Sequence, residues 1–354
     1  MINDLVSKRV QELKSYKAES RIQGIALDKN ELPWGLDDEV EEALIKSIKA
    51  MKFNRYPDSD YTELKAAISR YAGIDPGSIC IGNGSDELIS LVLQTFINPG
   101  DTIAIYNPTF AMYKIYGSIC GARIWKYDLD SNFELKLDEF IASLQEQKPK
   151  LVFLCNPNNP TGKELALSEI EEVLKNTAGI AVVDEAYFEF SGVTAAGLLS
   201  GYDNLIILRT FSKAFGLAGL RIGYMLASPL IISYIDRVRS PFNVNAFAQA
   251  AAVEVLKNLD KVMERIEIIK SERERLIVLL KQLKGIQCFE SKSNFILIRS
   301  PFSDEIAKRL QEAGIFIREY SSTKLKDCLR VTIGSRGEND KFYETVKEVL
   351  YERA

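Results

Sequence analysis

The sequence predicts an α/β protein: a large unit with a mostly parallel central sheet flanked by helices, and a smaller α+β unit. Three observations carry this reading. Short apolar runs recur along the first two thirds of the chain, amphipathic stretches of helical spacing separate them, and the pattern changes after Pro241. With 354 residues, 46% of them hydrophobic, the chain can bury a substantial core, and its length suggests about two domains.

The first 30 residues read as a helix and a connecting arm, and residues 1–44 as that arm plus part of the smaller unit. Residues 85–97 carry apolar positions at helical spacing and stop at Pro99-Gly100. The runs Ile103-Ala104-Ile105-Tyr106, Leu151-Val152-Phe153-Leu154, Ile180-Ala181-Val182-Val183 and Leu205-Ile206-Ile207-Leu208 read as strands buried on both faces, as a parallel sheet requires. Ser168 with Glu171 predicts a capping box ahead of Val173 and Leu174. We expect this large unit to occupy residues 45–255. Beyond it, residues 259–284 predict a long charged helix with Ile266, Ile269, Leu276 and Leu280 among its apolar positions. A strand at 294–298, a helix at 303–314, strands at 315–317 and 329–333 and a terminal helix complete a smaller unit over 256–354.

The composition narrows the chemistry. Forty-five basic and 49 acidic residues give a net charge of −4, which provides no footprint for nucleic acid or an anionic membrane. No run reaches the roughly 20 apolar residues that span a bilayer, and the segment from Met1 to Val6 lacks a signal-peptide pattern, so a cytoplasmic address is expected. Cys80, Cys120, Cys155, Cys288 and Cys328 are widely spaced and odd in number, which predicts free, largely buried thiols. There is no histidine. Acid–base chemistry must therefore run on lysine, carboxylates, tyrosine or a cofactor, and no metal site is expected.

Four segments follow predicted strands or open a predicted helix, where open α/β sheets place ligands. Lys213 lies in Thr210-Phe211-Ser212-Lys213-Ala214-Phe215-Gly216, with Arg221 eight positions on. Hydroxyls, glycine and a guanidinium around one amine suit a Schiff-base lysine beside a phosphate; the plain alternative is a solvated loop lysine. Asn156-Pro157-Asn158-Asn159-Pro160-Thr161-Gly162 demands a fixed turn. Asp184, opening Asp184-Glu185-Ala186-Tyr187, ends an apolar strand and needs a cationic partner, either a protonated pyridine or a nearby arginine. Gly82-Asn83-Gly84-Ser85-Asp86-Glu87 offers free amides at a helix start, an anion cradle.

Together these segments resemble the class II, fold-type I aminotransferases, which use pyridoxal 5′-phosphate (PLP), over nearly the whole chain. Within that family the chain is similar to the histidinol-phosphate aminotransferases, through Leu27-Asp28-Lys29-Asn30-Glu31-Leu32-Pro33, Arg55-Tyr56-Pro57-Asp58, Tyr106-Asn107-Pro108-Thr109-Phe110 and Leu329-Arg330-Val331-Thr332-Ile333-Gly334. The resemblance implies transamination between histidinol phosphate (or imidazole acetol phosphate) and 2-oxoglutarate (or glutamate), as a step of histidine biosynthesis. It implies that Lys213 binds PLP covalently and then moves the proton, that Asp184 keeps the pyridine nitrogen protonated, and that Asn159 and Tyr187 hydrogen-bond the ring's phenolic oxygen. Phe110 would stack on the ring, in place of a tyrosine common in relatives. Ser85, Asp86, Thr210, Ser212 and Arg221 would surround the cofactor phosphate, joined by Tyr56 from the neighbouring subunit of a homodimer. Arg330 would grip the substrate's acidic group, near Asn159 and Tyr56, and Arg318 is a candidate second cation for a dianionic phosphate, the plain alternative being a surface arginine. An aromatic or broad amino-acid aminotransferase, a threonine-phosphate decarboxylase and a catalytically inactive binding protein remain as alternatives.

Overall fold

The structure, a computed structural model, describes residues 2–11, 13 and 24–352. Much of the expected N-terminal helix and arm therefore lies outside the described residues; within them, two one-turn helices, Ile2–Leu5 and Lys8–Gln11, precede the first strand.

The strands of the described residues are β1 (Ile25–Leu27), β2 (Ile79–Gly82), β3 (Thr102–Asn107), β4 (Arg123–Asp128), β5 (Leu151–Cys155), β6 (Ile180–Asp184), β7 (Leu205–Thr210), β8 (Gly223–Ala227), β9 (Gln287–Cys288), β10 (Phe295–Arg299), β11 (Ile315–Glu319) and β12 (Cys328–Thr332). They form two sheets. The larger has the order β2-β8-β7-β6-β5-β3-β4 and is parallel except for β8, which runs against both β2 and β7. The four apolar runs are β3, β5, β6 and β7, and β5 and β7 are buried along their whole length. Helices on both faces exclude water from these strands, which is why their sequences are continuous rather than alternating. Edge strand β4, Arg-Ile-Trp-Lys-Tyr-Asp, is partly exposed and carries the charges that discourage edge-to-edge pairing.

The smaller sheet has the order β1-β11-β12-β10-β9, so the arm strand β1 pairs in parallel with β11, nearly 300 positions later in the chain. The long helix, Leu259–Lys281, buries Ile266, Ile269, Leu276 and Leu280, as its spacing predicts. It packs on the terminal helix Arg336–Tyr351, on β10 and on the short helix after β6, joining the two sheets.

One local expectation is corrected. The predicted capping box at Ser168 and Glu171 does not form: the helix is Leu167–Lys175, its N-cap is Ala166, and the Glu169 carboxylate accepts from the Ala166 N–H at 2.7 Å. The chain turns two residues earlier than the serine suggests, because a cap is set by where the incoming backbone changes direction and not by which residue has the best side chain. All five cysteines are free; Cys80, Cys155 and Cys328 are buried and the other two partly so.

Candidate active site

Parallel strands deliver their carboxyl ends to one edge, and the functional turns follow those ends. Asn156 follows β5, Asp184 closes β6 and Thr210 closes β7, with Cys155 beside Asp184 and Asp184 beside Leu208 in register. The asparagines of the first turn are its internal scaffold. Asn156 bridges to Leu165 in both directions (3.1 and 2.7 Å), and Asn158 donates to Thr161 and to the Pro108 carbonyl while accepting from Thr109 Oγ1 at 2.7 Å. Gly162 has φ +74°, and a Cβ there would collide with Ser291, so only glycine fits.

Locked this way, the turn presents Asn159. Its Nδ2 donates to Tyr187 Oη at 3.3 Å and its Oδ1 accepts from Arg330 Nη1 at 2.7 Å. Tyr187 Oη also receives Asn30 Nδ2 at 2.9 Å. Asn30 is itself buried, at φ +58°, and tied to Thr332 of β12 and to Asn294, which precedes β10. Arg330 lies over the Phe295 ring, 5.3 Å to its centroid, and donates to the Asp28 carbonyl at 2.5 Å, while its Nε is buried without a partner.

Lys213 Nζ donates to the Lys29 carbonyl at 2.7 Å. Burial, then the charge of Arg330, lowers its amine to about 8. Asp184 is buried; its Oδ2 accepts from Tyr113 Oη at 2.6 Å and its Oδ1 from the Ala186 N–H at 3.1 Å. Among the described residues no lysine or arginine pairs with it, and burial raises it to about 6 in spite of the Tyr113 bond. At the same sheet edge, after β2, helix Gly84–Phe96 begins without a side-chain cap. Arg221 Nη2 meets Asp86 Oδ2 at 3.0 Å, and Asp86 Oδ1 is buried and unpartnered. A Cβ on Gly84 would lie 2.8 Å from Arg221 Nη2, and one on Gly223 would lie 2.9 Å from the Ser85 nitrogen. Backbone amides, Arg221 and the linked Thr210 and Ser212 hydroxyls (3.0 Å apart) thus share a cradle that side chains would fill.

Phe110 sits at the start of helix Ala111–Ile119, with Tyr113 edge-on to it at 5.5 Å. Arg318 lies directly across the β11–β12 pair from Arg330. Tyr56 stands apart, 81% exposed and stacked on Phe242 at 4.5 Å. Two polar partners in the site carry no signal in the sequence that assigns them a role. Asn30 is one residue of the Leu27–Pro33 segment, and Tyr113 reads in sequence as one more aromatic on an amphipathic helix.

These residues fit PLP on the structure's own geometry. A buried carboxylate has no lysine or arginine partner among the described residues, an amine is held near neutrality, and an amide-and-arginine cradle lies beside the same sheet edge.

The family described as "Aminotransferase class I and II" matches residues 22–346. A histidinol-phosphate aminotransferase of Thermoanaerobacter pseudethanolicus is 42% identical over 351 residues, covering 99% of this chain and all of that protein. Among solved structures, histidinol-phosphate aminotransferase from Sinorhizobium meliloti in complex with pyridoxal-5′-phosphate superimposes with TM-score 0.91 at 25% identity, covering 99% of this chain and 98% of that one. L-threonine-O-3-phosphate decarboxylase from Porphyromonas gingivalis gives TM-score 0.80 at 25% identity, with 92% and 99% covered. Similarity that runs the length of the chain, through the turns bearing Asn159, Asp184 and Lys213, has one meaning: the chain belongs to the class I and II aminotransferases, on the fold-type I architecture.

Proposed function

We propose that this enzyme is a PLP-dependent aminotransferase that exchanges the amino group of histidinol phosphate with 2-oxoglutarate, as a homodimer in the cytoplasm. Free thiols suit that reducing compartment. PLP, when bound, supplies an aldehyde for the substrate amine and a ring that draws electrons from the α-carbon. Lys213 Nζ, near neutrality, would take up the proton released from the substrate's α-carbon and deliver it to the carbon that was the cofactor's aldehyde carbon. Asp184 offers its buried carboxylate to the ring nitrogen, and Tyr187, held by Asn30 and Asn159, donates to the ring's oxygen. Ser85 and Asp86 amides, Thr210, Ser212 and Arg221 hold the cofactor phosphate, Tyr56 of the second subunit closes it, and Phe110 covers the ring. We read residues 45–255 as the cofactor unit, and 1–44 with 256–354 as the arm and smaller unit carrying the substrate arginines.

The observation that carries the substrate reading is the register of β11 and β12. Arg318 and Arg330 are direct cross-strand partners, so both guanidinium groups leave the same face of the sheet. One arginine matches a carboxylate; two side by side match a dianionic phosphate. The 42% identical relative bears the corresponding name. The test is glutamate formation from 2-oxoglutarate with histidinol phosphate against phenylalanine, with threonine phosphate monitored for carbon dioxide. Histidinol phosphate should be preferred, and Arg330→Ala should raise its KM by about 10- to 100-fold, the worth of a charge-assisted hydrogen bond. Preference for phenylalanine, release of carbon dioxide, or an unchanged KM would each refute this substrate.

A further inference from the structure

Asp184 is a buried carboxylate at the sheet edge that, unlike its neighbour Glu185, has no arginine or lysine partner among the described residues, and its two oxygens are held differently. Oδ1 takes the Ala186 N–H at 3.1 Å, a bond within its own turn. Oδ2 takes the phenol of Tyr113 at 2.6 Å, from a different element 71 positions away in sequence. Tyr113 is fully buried and packed on two sides, face to face with Phe153 of β5 (4.7 Å, 16°) and edge-on to Phe110 (5.5 Å, 80°). Phe110 and Tyr113 are three residues apart, so one turn at the start of helix Ala111–Ile119 supplies both the ring-covering side chain and the Asp184 partner.

Resting on the role of Asp184 proposed above, we propose that Tyr113 is a positioning residue that fixes the orientation and charge of the Asp184 carboxylate toward the cofactor's ring nitrogen. Two physical facts support it. A phenol whose ring is clamped by stacking has no freedom to turn away, so the carboxylate cannot rotate without losing a short bond. Burial, and then the charge of Asp184, push the phenol well above its ordinary value, so it keeps its proton and acts as donor. That donation favours the ionised carboxylate, the form a protonated pyridine requires, against the burial that disfavours it.

The test is Tyr113→Phe, which keeps the stacked ring and removes the donor. Holoenzymes are compared with PLP and with an analogue whose ring nitrogen is replaced by carbon. With PLP, kcat should fall about tenfold or more with KM little changed, and cofactor dissociation followed by fluorescence should be several-fold weaker, as expected for a hydrogen bond to a charged group. With the carbon analogue both differences should vanish, as they should in an Asp184→Asn background. Equal losses with both cofactors would mean that Tyr113 only packs, and would overturn the proposal. Should Tyr113→Phe fail to fold, Tyr113→His, an aromatic donor, still decides: with PLP it should hold the cofactor tighter than Tyr113→Leu, and equal weakening would overturn the idea. Wild-type turnover and cofactor affinity in Asp184→Asn alone would instead remove the role of Asp184.

Discussion

Lys213 shows how one amine gains a chemistry its residue type ordinarily lacks. A lysine at its usual value of about 10.5 is about 0.1% neutral at pH 7.5, whereas one held at about 8 is about one quarter neutral. Burial supplies most of that change, and Arg330 adds to it by repulsion. The Lys29 carbonyl accepts a bond from Nζ and so keeps the side chain directed at the arm. Lys213→Ala should lower transamination by at least about 10²- to 10⁴-fold, the usual worth of a placed proton-transfer group, while PLP remains bound without a covalent link. Borohydride treatment followed by mass analysis should find cofactor fixed to the wild-type chain only. Near-normal turnover by the variant would remove Lys213 from the mechanism.

At the scale of elements, the ends of β6 and β7 are cross-braced beneath the site. Arg209 and Glu185, both almost fully buried, pair at 2.9 Å, and Arg209 also donates to Thr194 and Tyr224 and lies 3.8 Å over the Phe188 ring. Asp184 and Thr210 are the chain neighbours of this pair, so the brace fixes two functional turns at once. Glu189 borders the same network, with Tyr71 Oη at 3.4 Å and its Oε2 buried and unpartnered. Burial raises its carboxyl to about 8, with Arg209 acting against the rise and Glu185 with it. A folded-state value above the unfolded one means that the stabilisation is complete below the unfolded value, near 4.5, and is lost as pH climbs through about 8. Glu189→Gln, which cannot ionise, should therefore reduce the fall in Tm between pH 5.5 and pH 8.5 by at least about 2 °C in thermal melts. An identical fall in both proteins would show that Glu189 is ionised throughout.

For the whole molecule, one surface stands out. Phe53 stacks on Phe247 at 5.5 Å and Tyr56 on Phe242 at 4.5 Å, and Phe53 and Tyr56 are 69% and 81% exposed. Paired aromatics left in water favour a second copy of the chain. If Tyr56 serves the neighbouring site, the impaired variants Tyr56→Ala and Lys213→Ala should complement. When the two are unfolded and refolded together, each mixed dimer has one site with both side chains intact, and activity should exceed the sum of the separate proteins. Absence of any gain would mean that each subunit is self-sufficient.

Much of the architecture was legible because its causes are local. Continuous apolar runs marked β3, β5, β6 and β7 as strands covered on both faces, and the spacing of Ile266, Ile269, Leu276 and Leu280 marked the long helix. The turns after those strands were legible for the same reason: proline, glycine and asparagine constrain the backbone wherever they occur. The partners of the site were not. Tyr113 meets Asp184 from 71 positions away, and Asn30 meets Thr332 from 302 away. Which helix face turns toward a strand end, and which guanidinium lies across from which, depends on sheet register and on packing between distant segments. Composition and spacing thus determined the kind of fold and the turns that carry its chemistry. Only the tertiary structure decided which groups hold Asp184, Tyr187 and Arg330 in place, because a hydrogen bond between remote segments leaves no periodic trace in either of them.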